Sequence, residues 1–145
     1  RTEQEKNFGI ELDSLVDAID FIALPITIFL RLQMNTWYHF MIIVVFAICG
    51  IARLAHFNIT IEDNSKPVKY YTGLPVTYTA MIFPIFYLLK YIMPLNIFSI
   101  IYTILIAFVA MLNILNIKIK KPKGIAYVIF PVLAVIMLVL YLGVL

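Results

Sequence analysis

The chain has 145 residues, of which 63% are hydrophobic and only 13% are charged. Soluble domains are about half apolar and about a quarter charged, so this composition excludes an ordinary water-soluble globule, and it equally excludes a disordered chain. The pI of about 9.0 fits basic loops facing anionic lipid better than nucleic acid, which we do not expect as a partner. The single cysteine, Cys49, excludes an internal disulfide and a thiolate metal site. Composition therefore predicts an integral membrane protein.

Apolar stretches along the chain are long enough to cross a hydrocarbon core of about 30 Å as helices. We predict an all-α fold, a polytopic transmembrane helical bundle that forms a single membrane domain over residues 1–145. Its five spans are placed near residues 9–32, 38–57, 73–93, 96–117 and 124–145. Because the chain begins at Arg1 and stops within an apolar run at Leu145, we expect it to be the C-terminal portion of a longer protein with more spans.

Basic residues are distributed unevenly between the two predicted ends of the bundle. Arg31 and Lys90 fall at one end, whereas nine of the eleven basic residues fall at the other. The nine are Arg1, Lys6, Arg53, Lys66, Lys69, Lys118, Lys120, Lys121 and Lys123. The positive-inside rule places this more basic end in the cytoplasm.

The first predicted span carries acidic residues that a helix surrounded by lipid would not tolerate. At about 100° per residue, Gly9, Asp13, Asp17 and Asp20 share one stripe of this helix, with Glu11 on the opposite side. An Asp at the centre of a membrane helix costs about 2.5–3.5 kcal/mol, and three on one face repel each other unless cations or protons intervene. Asp13 and Asp17, one turn apart, could together bind Mg²⁺ or Mn²⁺ through oxygen if other groups complete the coordination.

Two other interpretations of the acidic stripe stay open at this point. The carboxylates could form interhelical hydrogen bonds or an ion pair with Arg53, which would be a structural role. Chains of carboxylates also relay protons, so a cation- or proton-coupled transporter is a further alternative.

The order Gly9-x3-Asp13-x3-Asp17 resembles the second half of the signature of the CDP-alcohol phosphatidyltransferase family, D-x2-D-G-x2-A-R-x8-G-x3-D-x3-D. Only seven residues separate Arg1 from Gly9, so the resemblance implies that the first two aspartates lie before Arg1. Three ordered stretches are also similar to the phosphatidylserine synthase branch. They are Phe8-Gly9-Ile10-Glu11-Leu12-Asp13-Ser14-Leu15-Val16-Asp17, Cys49-Gly50-Ile51-Ala52-Arg53-Leu54-Ala55-His56-Phe57-Asn58 and Tyr71-Thr72-Gly73-Leu74-Pro75-Val76.

The resemblance implies a membrane enzyme of phospholipid biosynthesis. Such an enzyme transfers a phosphatidyl group from CDP-diacylglycerol to L-serine, forming phosphatidylserine and releasing CMP. In this family four aspartates hold two divalent ions, Mg²⁺ or Mn²⁺, against the CDP diphosphate. By matching position, Asp13 is implied to be a metal ligand, and Asp17 both a metal ligand and the general base. The resemblance also implies membrane lipids as partners, an active site that faces the cytoplasm, and a homodimer.

Four residues are further candidates for binding substrate. Arg53 is placed to hold a phosphate or the serine carboxylate, or else to anchor at the lipid headgroups. Asn58 would cap the helix end or face the acceptor. Gly9 leaves room for a substrate or another helix to approach closely. Asp20, which the serine branch does not usually carry, would bind an acceptor ammonium or alter the affinity for metal. Asp20 and His56 differ from the residues that are usual in the serine branch. A sibling enzyme of the same family therefore stays an alternative, with glycerol 3-phosphate or an inositol compound as acceptor, or with an archaeal lipid donor.

Three other features receive simpler interpretations. Gly73-Leu74-Pro75 turns the chain into the next helix, although its amide groups could also face an anion. Asn113 is interpreted as packing or as an interhelical hydrogen bond. The Lys118–Lys123 run is interpreted as a topogenic loop that attracts lipid, and Thr77 receives no role.

Overall fold

The computed structural model describes residues 2–32, 34, 36–63, 70–120 and 126–144. Most of them are helical, as predicted. The helices of this part are α1 (Glu3–Ala18), α2 (Leu24–Arg31), α3 (Trp37–Asp63), α4 (Thr79–Tyr87), α5 (Leu95–Ile114) and α6 (Ala126–Val144). Short 3₁₀ turns, Val76–Tyr78 and Leu88–Tyr91, extend α4 at its two ends.

The all-α fold class is confirmed, and two strands of three residues each are also present. β1 (Tyr70–Thr72) and β2 (Lys118–Lys120) form an antiparallel ladder in which Tyr71 faces Ile119. The segment interpreted as a lipid-attracting loop is therefore partly a strand. The ladder brings together two connections that were predicted to lie at the same end of the bundle. We call this the ladder end.

A π-helical turn at Ile19–Ala23 connects α1 to α2 without a break in the helical rod. Proline lacks an amide hydrogen, so Pro25 cannot donate to the carbonyl of Phe21 as a regular helix would require. The hydroxyl of Thr79 compensates from α4, because its Oγ1 lies 3.2 Å from Phe21 O and 2.7 Å from Val76 O. This turn changes the direction in which the side chains after Ala18 point.

The core lies where α2, α3, α4 and α5 meet. Phe29 packs edge-to-face on Phe83 and Tyr102, with ring centroids 4.9 and 5.7 Å apart, and Phe46 packs on Phe83 at 5.5 Å. Such aromatic pairs contribute about 0.5–1.5 kcal/mol each beyond the area that they bury. The core therefore fixes the position of α3, which carries Arg53, relative to α4.

Two helical stretches, Trp37–Ile59 and Leu95–Ile114, are long and apolar enough to cross a membrane. Val76–Tyr91 and Val128–Gly143 are shorter apolar helices. Exposed side chains such as Ile48 on α3 and Phe108 on α5 cover outward faces with apolar surface, which lipid solvates well. All five predicted spans coincide with helical segments, but as membrane crossings the five stay a prediction.

Part of the predicted charge asymmetry lies outside the described residues. This applies to Arg1, Lys66, Lys69, Lys121 and Lys123. At the other end of the bundle, Arg31 and Lys90 line one cavity, which agrees with their predicted placement together.

Candidate active site

Asp17 of α1 and Arg53 of α3 line the same cavity, which has a volume of about 120 Å³. The segment that precedes α4 closes it with Pro75, Val76 and Thr77. The structure thus brings together two predicted site residues from different helices. Thr77, to which the sequence interpretation gave no role, adds a hydroxyl to the lining. We call this space the Asp17–Arg53 cavity.

Arg53 is only 6% exposed. Its guanidinium carbon lies 5.5 Å from the centre of the Phe57 ring, one turn further along α3, a cation–π distance that helps to fix the side chain. A headgroup anchor would instead extend its charged end toward the lipid surface. The structure therefore supports the inward-facing alternative for Arg53.

The turn before α4 is locked to the end of α5. Gly73 adopts a positive φ of 78°, which glycine accommodates without strain. Its N–H donates to Ile117 O at 2.8 Å, and the N–H of Leu74 donates to Leu112 O at 3.0 Å. Pro75 has no N–H to offer. The suggestion that these amides face an anion is thus wrong, and the turn serves to position the cavity wall.

Asn58 does not cap a helix end, because α3 continues to Asp63. Its Nδ2 donates to Ser14 Oγ at 2.7 Å, and Ser14 Oγ lies 3.1 Å from Ile10 O. This bond connects α1 to α3 one turn before Asp17. Asn58 therefore acts in the structure as a link that sets the distance between the helix of the aspartates and the helix of Arg53.

The acidic stripe passes from solvent-exposed to half-buried positions along α1. Asp13 is exposed and Asp17 is half-buried, and Asp13 and Asp20 both act electrostatically on the Asp17 carboxylate. An added Cβ on Gly9 would meet no atom of the described residues within 4 Å, so the described part of the chain leaves the helix surface next to Asp13 open. The space that the sequence predicted beside Gly9 is present.

Asp20 lies in the π-helical turn and lines a different space. This groove, of about 500 Å³, is bordered by α2, α4 and aromatic side chains that include Phe29 and Tyr102. The π-helical turn explains the separation, because it rotates Asp20 relative to the regular helix assumed in the prediction. Asp20 thus borders a largely apolar groove beside the Asp17–Arg53 cavity.

Asp13 and Asp17 supply carboxylate oxygens, which suit Mg²⁺ and Mn²⁺. Across the described ranges, no group of three or more His, Cys, Asp or Glu side chains is arranged to hold a metal ion. The two aspartates therefore fit part of a ligand set for a divalent cation.

Asn113 of α5 is 2% exposed, and within the described part of the chain neither Oδ1 nor Nδ2 of its side chain has a hydrogen-bond partner. The predicted interhelical hydrogen bond is thus not formed by this amide. An added Cβ on Gly73 would lie 2.9 Å from Asn113 O and 3.4 Å from Arg53 Nε, so both residues border the same turn. The sequence signal for Asn113 is a polar amide within an apolar helix, and a polar residue inside a membrane helix is a candidate functional residue.

Asp13 and Asp17 on α1 and the buried Arg53 on α3 thus lie near one another among apolar helices. A family model described as CDP-alcohol phosphatidyltransferase matches residues 1–144. The chain belongs to this family.

Curated relatives share similar sequence over about half of the chain. It is 38% identical over 76 residues to the CDP-diacylglycerol–serine O-phosphatidyltransferase of Saccharomyces cerevisiae, covering 49% of this chain and 28% of the relative. Proteins of the same name from Mycobacterium tuberculosis and Mycobacterium leprae are 26% and 28% identical, covering 50% and 49% of this chain and 27% and 25% of the relatives. The matches thus span about a quarter of each relative's length. No solved structure matches the chain.

Proposed function

We propose that the protein is a phosphatidylserine synthase, which transfers a phosphatidyl group from CDP-diacylglycerol to the hydroxyl of L-serine. In this reaction a bond forms between the serine oxygen and phosphorus, the bond from that phosphorus to CMP breaks, and CMP leaves. The observation that carries the proposal is that Asp17 and Arg53, from two of the resembling stretches, line one cavity. The names of the curated relatives support the same reaction.

Asp17 is proposed as the general base. A carboxylate within hydrogen-bond reach of the serine hydroxyl can take its proton as the oxygen attacks phosphorus. Asp17 fits this role because it is half-buried at the edge of the cavity. There it can reach both an acceptor inside the cavity and a diphosphate on the open side of α1.

Arg53 is proposed to hold the serine carboxylate through two parallel N–H···O bonds, the geometry in which arginine binds carboxylates most strongly. At about 120 Å³, the cavity is smaller than the roughly 300–1,000 Å³ of sites for drug-sized ligands. A small amino acid suits it. Arg53 is the one cation among the described lining residues, so an acceptor with its own phosphate is the weaker alternative.

Asp13 and Asp17 are proposed to hold divalent cations, with the remaining oxygens supplied by other groups. When bound, Mg²⁺ or Mn²⁺ would neutralise charge on the diphosphate oxygens. The exposure of Asp13 and the open surface beside Gly9 support an approach of the nucleotide from this side. Asp20 and Asn58 are proposed to act at the margin of the site, Asp20 near the lipid groove and Asn58 through its bond to Ser14.

The wider setting is also part of the proposal. We infer that the chain crosses the membrane five times and that the ladder end faces the cytoplasm. We also infer that the chain forms the C-terminal portion of one membrane domain, in which two further aspartates precede Arg1. CDP-diacylglycerol, L-serine and surrounding lipids are the proposed partners, and a homodimer is the proposed assembly. The two long apolar helices and the family support the membrane location.

The test measures CMP release by the full-length protein in mixed lipid–detergent micelles. CDP-diacylglycerol, Mn²⁺ or Mg²⁺, and one acceptor are supplied, with L-serine compared against glycerol 3-phosphate and inositol. We expect release that depends on serine and on the metal. CMP release that follows another acceptor would move the protein to a sibling reaction, and no release with any acceptor would refute the enzyme.

Asp17→Asn tests the general base in the same assay. The change removes the basic oxygen but keeps the size of the side chain, so turnover should fall by roughly 100-fold or more. Glu3→Gln is the matched control, because it removes one exposed carboxylate from the first turn of α1, far from the cavity. Equal turnover of the two variants would contradict the role of Asp17.

A further inference from the structure

Another cavity, larger than the Asp17–Arg53 cavity, lies at the end of the bundle opposite the ladder end. Its volume is about 440 Å³, and Arg31, Lys90, His39 and Ser99 contribute to its lining. None of these residues takes part in the proposed reaction. We call it the Arg31–Lys90 cavity.

Arg31 and Lys90 have no acidic counterpart nearby in the sequence. The eight acidic residues of the chain lie in two groups, residues 3–20 and 62–63. The first group lies in α1 and at the start of the π-helical turn, and the second group forms the end of α3 at the ladder end. Among the described residues that line the cavity there are two basic side chains and no acid. A negative partner for this cavity must therefore come from outside the described protein surface.

Some of the polar groups in the cavity are held in place by the fold. His39 is 4% exposed, its Nδ1 accepts a 3.4 Å hydrogen bond from the N–H of Thr36, and its Nε2 lies 3.3 Å from Ser99 Oγ. Lys90 Nζ lies 5.3 Å from the centre of the Tyr87 ring and 3.4 Å from its hydroxyl. Donors fixed in this way lose little conformational entropy when they bind an anion.

The position of the cavity matches the headgroup level of a bilayer. Trp37, which is 74% exposed, begins α3 beside the cavity, and Tyr91 follows Lys90. Tryptophan and tyrosine concentrate at membrane–water interfaces. Leu95 and Ile100, both exposed and apolar, line the cavity together with the cations. A ligand with a phosphate next to hydrocarbon would satisfy both kinds of surface, whereas a free phosphate would leave the apolar side unused.

We propose that the Arg31–Lys90 cavity binds the headgroup phosphate of an anionic phospholipid from the leaflet opposite the candidate active site. Arg31 and Lys90 supply the charge, and Ser99 supplies a hydroxyl close to them. This site is independent of the proposed transferase reaction, since it depends only on the membrane location and on charge. Its test therefore uses lipid binding as the readout.

The experiment uses the full-length protein in nanodiscs of phosphatidylcholine, with and without phosphatidylglycerol. Native mass spectrometry counts the phosphatidylglycerol molecules that stay bound, and thermal unfolding measures their effect on stability. We expect phosphatidylglycerol to be retained and to raise the unfolding temperature. The double variant Arg31→Gln/Lys90→Gln should weaken its binding by about tenfold or more, because two charge-assisted contacts are lost.

Two controls keep the test decisive. Lys118→Gln removes an exposed cation at the ladder end and should retain the lipid, whereas Arg31→Lys/Lys90→Arg keeps the charge and should retain most of the binding. Unchanged retention in the Gln double variant would overturn the proposal. Displacement of the lipid by inorganic phosphate alone would also overturn it, since the site would then bind free anions rather than a lipid.

Discussion

Replacing Gly73 with alanine should destabilise the protein by about 2–5 kcal/mol. One part of the cost is the left-handed backbone at φ 78°, which costs an L-residue roughly 1–2 kcal/mol. The other part is steric, because the new Cβ would lie 2.9 Å from Asn113 O and 3.2 Å from Leu115 O. These are backbone oxygens at the end of α5, which cannot rotate away, and overpacking of this kind costs about 1–3 kcal/mol.

The assay follows unfolding of the protein in a denaturing detergent through a thiol-reactive dye, which labels the buried Cys49 as α3 opens. Gly50→Ala is the matched control. Its Cβ would approach the flexible end of Ile22, at 2.8 Å, and the gain of about 1 kcal/mol for alanine in a helix offsets part of the strain. Gly9→Ala meets nothing within 4 Å and should stabilise the helix by about 0.5–1 kcal/mol.

The ranking of the three variants is the decisive result. If Gly73→Ala unfolds at the same detergent concentration as the wild type, the turn does not have the locked geometry described here. If Gly50→Ala loses as much stability as Gly73→Ala, the distinction between a fixed backbone oxygen and a mobile side chain is wrong. Either result would refute the reasoning about how the cavity wall is held.

Three further predictions concern the Asp17–Arg53 cavity and its supports. Arg53→Lys should raise the KM for serine by about tenfold with a smaller effect on kcat, because it keeps the charge but loses the two-pronged contact. Asn113→Leu should not lower the unfolding temperature, since it removes a buried amide without a hydrogen-bond partner among the described residues, which costs about 1–3 kcal/mol. A double-mutant cycle of Ser14→Ala and Asn58→Ala should give a coupling of about 0.5–1.5 kcal/mol in unfolding.

Each of these predictions has a contrary outcome. Unchanged serine kinetics in Arg53→Lys would return Arg53 to a packing role. A lower unfolding temperature for Asn113→Leu would mean that the amide has a hydrogen-bond partner in solution. Additive losses from Ser14→Ala and Asn58→Ala would mean that their hydrogen bond does not connect α1 to α3 in solution.

The helical architecture could be predicted because its causes are local. A backbone in lipid must satisfy its own hydrogen bonds, so apolar runs of sufficient length indicate helices. An association of the acidic stripe with Arg53 was also within reach, because the sequence already suggested an ion pair between these carboxylates and Arg53. Which carboxylate shares a cavity with Arg53 depends on how α1 packs on α3, and the sequence does not give that packing.

The features that the sequence did not predict depend on contacts between distant parts of the chain. β1 and β2 are 45 residues apart between Thr72 and Lys118, and neither strand is apolar enough or long enough to be recognised alone. The position of Asp20 depends on a π-helical turn that Thr79 supports from another helix. Whether the side-chain amide of Asn113 has a hydrogen-bond partner depends on the residues around it, and no sequence pattern within α5 identifies them.

Burial of the side chains increases across the candidate site from α1 to α3. This order is relevant to where the two substrates of the proposed reaction would bind. Asp13 is exposed, Asp17 is half-buried and Arg53 is buried. A charged nucleotide diphosphate with its cations needs an open approach, whereas a small acceptor is best oriented in a closed space from which water is excluded. Asp17 lies where the exposed face of α1 meets the cavity that contains Arg53. A general base has to contact the acceptor hydroxyl while the hydroxyl oxygen attacks the phosphorus, and a base at this position would be able to do so.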